Sequence, residues 1–325
     1  MIPKLELSPY PDDPASRAEL VAFLEEHWRL DGEPGWERRM RHWWDENPMA
    51  AENGERGQWV RTEGRVVCYG GSIPAAYAWQ GRQLPAFNAT TLCVDARFPK
   101  AAATLFLHQR ELMKRLVITH STPNPRVQDA LLKLNARAGK MVTRHYLPAG
   151  AVALLSGRSW WPSFPDGRRL TTHPEEVTAI MRPFQRADRV EKWITPDYLR
   201  WFCNSPVRKH HFLGAVDAGG VLSSFLLVTR RMIKGLRSWD VLEAFTTGDD
   251  KTELQALMGL LVRQPGLLPG GATLVTAATF PGDHAWDGTP AWLRRQQDAC
   301  HFFLLPESLR SAPKHTVMAE GDLGL

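Results

Sequence analysis

The spacing of apolar residues changes twice along the first 150 residues of the chain. Helical spacing follows a capping-box pattern at Ser16–Glu19, alternating apolar positions come next, and helical spacing returns at Lys100. The pattern predicts helices that end near Trp28 and that cover 36–44, 100–115 and 127–134, and strands over 58–62, 66–79, 84–94, 116–120 and 141–147. Gly70-Gly71 predicts a bulge in the second strand. The third and fourth strands and the helix between them predict a βαβ unit.

The second half repeats this order of elements. The same spacings predict helices over 174–181, 196–202, 254–261 and 291–298, and strands over 211–216, 221–233, 239–246, 273–280 and 301–305. Phe280–Asp283 interrupts the second half where Thr122–Pro125 interrupts the first. Such an internal repeat predicts an N-terminal domain (1–155), a linker (156–170), a C-terminal domain (171–312) and a tail (313–325).

Length and composition are those of an ordinary globular protein. A chain of 325 residues exceeds what one hydrophobic core usually organises, and its 43% of apolar residues is enough for a core in each half. The chain has no run of 18 apolar residues, and charges and prolines stand where a secretory signal needs an apolar stretch. We therefore expect a cytoplasmic protein that does not enter the membrane.

Four cysteines are scattered without a CxxC pair, at Cys68, Cys93, Cys203 and Cys300. This arrangement favours free thiols over disulfides or a metal site.

The net charge of +5 permits an anionic ligand such as CoA, a phosphate or an RNA. The cationic residues come in short groups without the density of a nucleic-acid-binding arm, so a dedicated nucleic-acid-binding function is not favoured.

The loop after the third strand contains small and cationic residues. It has the sequence Val94-Asp95-Ala96-Arg97-Phe98-Pro99-Lys100-Ala101-Ala102-Ala103-Thr104. With the order of the elements, this stretch resembles the GNAT acyltransferases, and nearly the whole chain resembles a tandem pair of their domains. The resemblance implies an α/β (α+β, mixed-sheet) fold of two GNAT-like domains, each a mostly antiparallel sheet with a βαβ crossover and flanking helices.

In the GNAT family this loop wraps the pyrophosphate of CoA, because free amides and the positive end of a helix dipole attract phosphate. The resemblance implies acetyl-CoA or another acyl-CoA as co-substrate in the N-terminal domain, without a metal. The residues implied to bind it are Cys93, Val94, Arg97, Lys100, Ala101, Ala102, Ala103, Thr104 and Asn124. Both glycines of the family's loop are replaced here, and Pro99 removes one amide.

Asn124 and the second loop each have two interpretations. Asn124 matches an asparagine that follows the crossover strand in the family, and it also has the pattern of a helix N-cap. In the second half, Asp249 and Asp250 stand in the corresponding loop, where they repel a pyrophosphate or cap a helix. We therefore expect that the second half does not bind CoA.

Amine acylation needs a base for the proton of the amine and an acid for the leaving thiolate. His120, at the carboxyl end of a central strand, and Asp95 are the candidate bases, and each can instead cap a strand or a helix. Tyr146 is the candidate acid, because Leu131 and Leu132 stand where family members have a tyrosine.

Asp240 and Glu243 lie among apolar residues of a predicted strand and are candidates for binding a cationic group of the substrate.

Three classes of function remain. The first is an acyl-CoA-dependent N-acyltransferase that acts by direct transfer on a small amine, an amino sugar or a peptide amine. The second is a FemAB-like transferase that uses aminoacyl-tRNA, and the third is a non-catalytic GNAT-like binding module. The oligomeric state stays open.

Overall fold

The computed structural model describes most of the chain between Lys4 and Glu320. Outside the description lie residues 1–3, 29, 31–33, 52–53, 122, 151–160, 182–187, 248–250, 282, 284, 287 and 321–325. Much of the predicted linker, and Asp249 and Asp250 of the second loop, therefore fall outside the described residues.

The first half contains two helices, an antiparallel meander, a strand–helix–strand crossover, and a final helix and strand. Its helices are α1 (Pro14–His27), α2 (Trp36–Met40), α3 (Ala101–Leu112) and α4 (Pro125–Lys133), and its strands are β1 (Glu6–Pro9), β2 (Gly57–Thr62), β3 (Arg65–Trp79), β4 (Arg82–Val94), β5 (Val117–Ser121) and β6 (Arg137–Pro148). Helix α1 begins after Asp13 because the Asp13 carboxylate accepts the backbone N–H of Ser16 at 2.9 Å. The elements predicted for this half are confirmed, and β1 is additional.

The second half follows the same plan with more short strands. Its helices are α5 (Pro196–Cys203) and α6 (Thr252–Arg263), and its strands are β7 (Arg169–Thr171), β8 (Ala179–Ile180), β9 (Glu191–Lys192), β10 (His210–Val216), β11 (Val221–Ile233), β12 (Leu236–Thr246), β13 (Leu274–Thr279) and β14 (Arg294–Leu304).

Two predicted helices of this half are wrong. The segment 174–181 forms one 3-10 turn and then β8, because the amides of Thr178 and Met181 donate to Gly220 and Leu222 at the start of β11. The segment 291–298 forms a 3-10 turn and then β14, which pairs with β6. In both segments the backbone of a distant strand decides the conformation over local preference.

One continuous sheet runs through both halves. Its strand order is β1-β2-β3-β4-β5-β14-β6-β13-β12-β11-β10-β7. Strand β14 of the second half lies between β5 and β6 of the first, so each half completes its sheet with a strand of the other. The pairs β4–β5 and β12–β13 are parallel, and the other neighbours in this order are antiparallel. The predicted fold class, two mixed-sheet domains with a crossover each, is confirmed, and the pair β14–β6 joins the two sheets into one.

The largest hydrophobic cluster joins the two halves. It combines side chains of α1, α2 and α5 with residues of β3, β11 and β12, among them Trp36, Ile73 and Phe225, all buried. Helices α3 and α4 cover the other face of the first half through Leu112 and Leu131. Burial of each such side chain contributes about 1.5–3 kcal/mol. The exchanged strands and the shared cluster predict that both halves unfold together.

Candidate functional site

Strands β4 and β5 run side by side for four residues and then separate. Their register runs from Ala86 beside Val117 to Ala89 beside His120 and ends there. The crossover helix α3 begins after β4, and α4 begins after β5, so both helices start near the point of separation. Parallel strands that separate leave room for an extended ligand whose own amides and carbonyls replace the strand pairing.

A bulge in β4 lies beside this opening. Thr91 and Leu92 of β4 together stand opposite one residue of β3, Gly70. The predicted bulge at Gly70-Gly71 is therefore present in the ladder, but its extra residue lies on β4. Thr91 has a φ of 47°, a left-handed conformation that costs a β-branched residue about 1–3 kcal/mol. A bulge bends its strand, and here the bend accompanies the separation of β4 from β5.

A cavity of about 340 Å³ occupies the opening. Its walls come from β3, β4, β5, α3 and α4, and include Gly71, Thr91, Leu105, Gln109, His120 and Asn124. Gly71 is required for the packing here, because a Cβ at this position would lie 3.0 Å from the Thr90 methyl group and 3.2 Å from the Tyr69 ring.

Three buried polar atoms of the cavity lining have no hydrogen-bond partner within the described residues. They are Nε2 of His120, Oε1 of Gln109 and Oε1 of Gln58. Burial lowers the pKa of His120 to about 4, so its imidazole is neutral at pH 7. A buried acceptor without a partner is costly, so these atoms favour a ligand that supplies the missing hydrogen bonds.

Asp95 and Arg97, in the loop before α3, form an ion pair with each other. The Asp95 carboxylate accepts hydrogen bonds from the Arg97 guanidinium at 2.6 Å and from the Arg97 backbone N–H at 3.0 Å. The Arg97 hydrogen bonds hold the pKa of Asp95 at about 2. Asp95 is buried and does not line the cavity, so its geometry matches the capping interpretation. Lys100 is exposed directly before α3.

The remaining residues predicted for CoA lie on the elements around this loop. Ala101, Ala102, Ala103 and Thr104 form the first turn of α3, and Cys93 and Val94 end β4. Asn124 caps α4, since its Oδ1 accepts the Val127 N–H at 3.0 Å, and it also lines the cavity. Both interpretations of Asn124 therefore agree with its position.

Tyr146 and Asp240 lie in the part of the sheet that belongs to the second half. Tyr146 stands on β6 opposite Thr276 of β13. Asp240 accepts hydrogen bonds from Arg144 at 2.8 Å and from the Thr276 hydroxyl at 2.7 Å. Both members of the Asp240–Arg144 pair are buried, so a cationic substrate group would have to displace Arg144.

Glu243 also has internal partners. Its Oε1 accepts hydrogen bonds from the Lys192 ammonium and, at 2.6 Å, from the Tyr198 hydroxyl. Burial raises the pKa of Glu243, and the Lys192 charge opposes this shift. Neither Tyr146, Asp240 nor Glu243 lines the cavity between β4 and β5.

The corresponding opening in the second half is closed. Strands β12 and β13 pair from Ser238 to Asp240, and their register ends there. Beyond this point the backbone N–H of Ala319, in the predicted tail, donates to the Leu242 carbonyl at 3.0 Å. A cavity of only about 20 Å³ lies there.

Sequence reasoning missed the α3 wall of the cavity and the packing of the tail. Leu105 and Gln109 are spaced as one face of a helix, a pattern that equally fits ordinary core residues. Nothing in the sequence marks Thr91 as left-handed, because threonine disfavours that conformation.

Neither the buried cysteine nor the acidic and histidine side chains suggest a second type of site in the described residues. Cys93 is a buried free thiol, and burial raises its pKa to about 11, which makes it a poor nucleophile. The described segments contain no cluster of three or more His, Cys, Asp or Glu side chains suited to a metal ion. No helix in the same segments is both long and apolar enough to span a membrane.

Solved structures share this fold. No protein-family model matches the sequence, and no curated protein matches it. A probable N-acyltransferase from Enterococcus faecalis V583, a conserved protein of unknown function, has a TM-score of 0.63 at 8% identity, over 95% of this chain and 74% of that one. A GCN5-related N-acetyltransferase from Anabaena variabilis has a TM-score of 0.61 at 9% identity, over 94% and 74%. Another from Kribbella flavida has a TM-score of 0.58 at 13% identity, over 93% and 71%. The chain therefore has the fold of the GNAT superfamily, the GCN5-related N-acetyltransferases, with its two halves in tandem.

Proposed function

We propose that this protein is an acyl-CoA-dependent N-acyltransferase that uses acetyl-CoA and transfers the acyl group directly to a small amine, an amino sugar or a peptide amine. The observation that carries the proposal is the cavity between the separated strands β4 and β5. Among the described residues, this cavity presents three buried polar atoms without partners, on His120, Gln109 and Gln58. Its counterpart in the second half is filled by the chain itself.

The cavity has the chemistry that an extended, amide-containing ligand needs. The pantetheine arm of CoA alternates amides with methylene groups. Gln109 Oε1 is available to accept one amide N–H, and Leu105 and Phe106 offer apolar contact. At the start of α3, Lys100 is exposed beside the first helical amides, where phosphate is favoured. Asp95 is neutralised by Arg97, which limits its repulsion of phosphate.

Bound acyl-CoA supplies an activated thioester carbonyl, and the residues of the chain position the reactants and accept the proton. The neutral His120 imidazole takes at Nε2 the proton that the acceptor amine loses as the new C–N bond forms and the C–S bond breaks. Because Tyr146 lies on another part of the sheet, we propose that the departing sulfur is protonated from solvent. Enclosure by α3 and α4 holds the reacting groups together, which is the larger part of the catalysis proposed here.

The two domains then have different roles. We assign acyl-CoA binding to residues 1–155 and a structural role, or a contribution to the acceptor site, to residues 171–312. The closed opening between β12 and β13 supports a ratio of one CoA per chain.

Isothermal titration of the protein with CoA and acetyl-CoA tests the proposal. We expect micromolar binding at one site per chain, followed by acyl transfer in a screen of small amines, amino sugars and peptides. His120→Gln should retain CoA binding and lose at least about tenfold in kcat, since a positioned base contributes 10²–10⁴-fold. His108→Gln, on the partly exposed side of α3, is the matched control.

Absence of CoA binding would refute the proposal. A parallel titration with charged tRNA would then separate the FemAB-like function from a non-catalytic binding module, because only the former requires tRNA binding.

A further inference from the structure

The point at which the two parallel strands separate is open in the first half and filled in the second. In the first half, β4 and β5 separate around a cavity of about 340 Å³. In the second half, β12 and β13 separate after Asp240, and the C-terminal segment, Lys314–Glu320, lies beside the separated strands. The Ala319 N–H donates to the Leu242 carbonyl, so this segment makes the kind of backbone hydrogen bond that an extended ligand would make there.

The C-terminal segment is packed as core. Ala319 and Glu320 are almost completely buried, and the His315 ring packs edge-on against Phe245 of β12, with 4.8 Å between ring centroids. The Lys314 ammonium donates to Glu320 Oε1 at 2.9 Å, and both side chains are at most 2% exposed. A buried ion pair that encloses the segment at both ends holds it in one conformation, because breaking the pair leaves a charge without compensation.

Glu320 also contacts the first half. Its second carboxylate oxygen accepts the hydroxyl of Tyr77, which is on β3 and buried. The Tyr77 hydroxyl is close enough to Thr119 of β5 to interact with it electrostatically. Thr119 donates to Asn88, and this pair joins β5 to β4 one register step before the two strands separate. Tyr77 therefore connects the C-terminal segment to the edge of the first cavity, by its hydrogen bond to Glu320 and by its position beside Thr119.

We infer that the C-terminal segment is an internal ligand of the second half, which fills the strand opening that the first half keeps for a substrate. We further infer that Glu320, through Tyr77, is a positioning residue for the opening between β4 and β5. The inference deepens the proposed function, because it explains why one half alone binds CoA. Its tests use hydrogen exchange as well as CoA binding, so its failure is distinguishable from failure of the proposed function.

The first test compares two full-length variants at position 319. Ala319→Pro removes the N–H that binds Leu242, and Ala319→Gly keeps it. Hydrogen exchange followed by mass spectrometry reports the amides of 314–320 and of β12. In the wild type, we expect exchange of 314–320 to be at least about a hundredfold slower than in a free peptide. Ala319→Pro should accelerate it about tenfold, and Ala319→Gly should stay near the wild type.

The second test concerns positioning. Tyr77→Phe keeps the ring and removes the hydroxyl that Glu320 accepts, and Glu320→Gln removes the charge. Both variants should accelerate exchange in 87–90 and 118–121, the ends of β4 and β5 that border the cavity, about threefold or more. CoA should bind them more weakly, with the ratio of one CoA per chain unchanged.

Each possible result either supports or overturns one part of the inference. Rapid exchange of 314–320 in the wild type, or binding of a second CoA per chain, would overturn the internal ligand. Unchanged exchange of β4 and β5 in Tyr77→Phe would overturn the positioning role. A wild type that binds no CoA but shows the expected exchange pattern supports this inference and contradicts only the proposed function.

Discussion

His301 provides a test of how burial determines the acid stability of this fold. It lies on the exchanged strand β14, opposite Ser121 of β5, and is 3% exposed. Neither of its ring nitrogens has a hydrogen-bond partner within the described residues, and its ring contacts Phe280. Burial lowers the pKa of His301 to about 4, against an opposing effect of the Glu320 charge.

The magnitude follows from the two pKa values. The unfolded chain binds the proton with a pKa of about 6.5, so it is protonated first as the pH falls, and folding then becomes less favourable. The free energy of unfolding due to His301 should fall by about 2 kcal/mol between pH 7.5 and pH 5. His120, with the same lowered pKa, should contribute a second loss of similar size.

Urea unfolding of the wild type and of His301→Leu, at both pH values, measures this effect. The variant removes the titrating ring, and it should be about 2 kcal/mol less sensitive to the change to pH 5. His108→Gln, at a partly exposed position of α3, is the control for loss of a histidine. An identical pH dependence of the wild type and His301→Leu would show that His301 is not held neutral by burial.

Four further outcomes follow from particular contacts. Lys100→Glu should weaken CoA binding about tenfold by reversing charge at the start of α3, whereas Lys209→Glu should not; calorimetry compares them. Asn124→Ala should lose about 1 kcal/mol of stability with the α4 cap, measured by urea unfolding. Asp240→Ala should lose about 3–5 kcal/mol in the same assay, because it leaves Arg144 buried and unpaired. Leu254→Ala, a cavity in the α6 core, should lose about 2–5 kcal/mol, and a loss below 1 kcal/mol would contradict the packing.

Local patterns were sufficient for the elements with a regular apolar period. The meander over 57–94, the crossover helix α3 and the repeat of both in the second half agree with prediction, because each buries one face and so repeats at 2.0 or 3.6 residues. The segments 174–181 and 291–298 were predicted as helices and form strand after a short turn. Their hydrogen bonds go to β11 and to β6, which are distant in sequence.

Some features of the candidate site could also be predicted from local sequence, and others could not. The position of His120 at the end of a central strand and the cap at Asn124 could be inferred locally, since both depend on a few neighbouring residues. The partners of Asp240 and Glu243 could not, because Arg144 and Lys192 approach them from other strands.

The sequence by itself therefore determined the repeated order of helices and strands and the position of the crossover loop. It did so because periodic burial and capping are local. Tertiary structure alone decided that β6 and β14 are exchanged, that Thr91 forms a bulge, and that the C-terminal segment closes one opening while the other keeps its cavity. These features depend on hydrogen bonds and ion pairs between residues far apart in the chain, which no local pattern encodes.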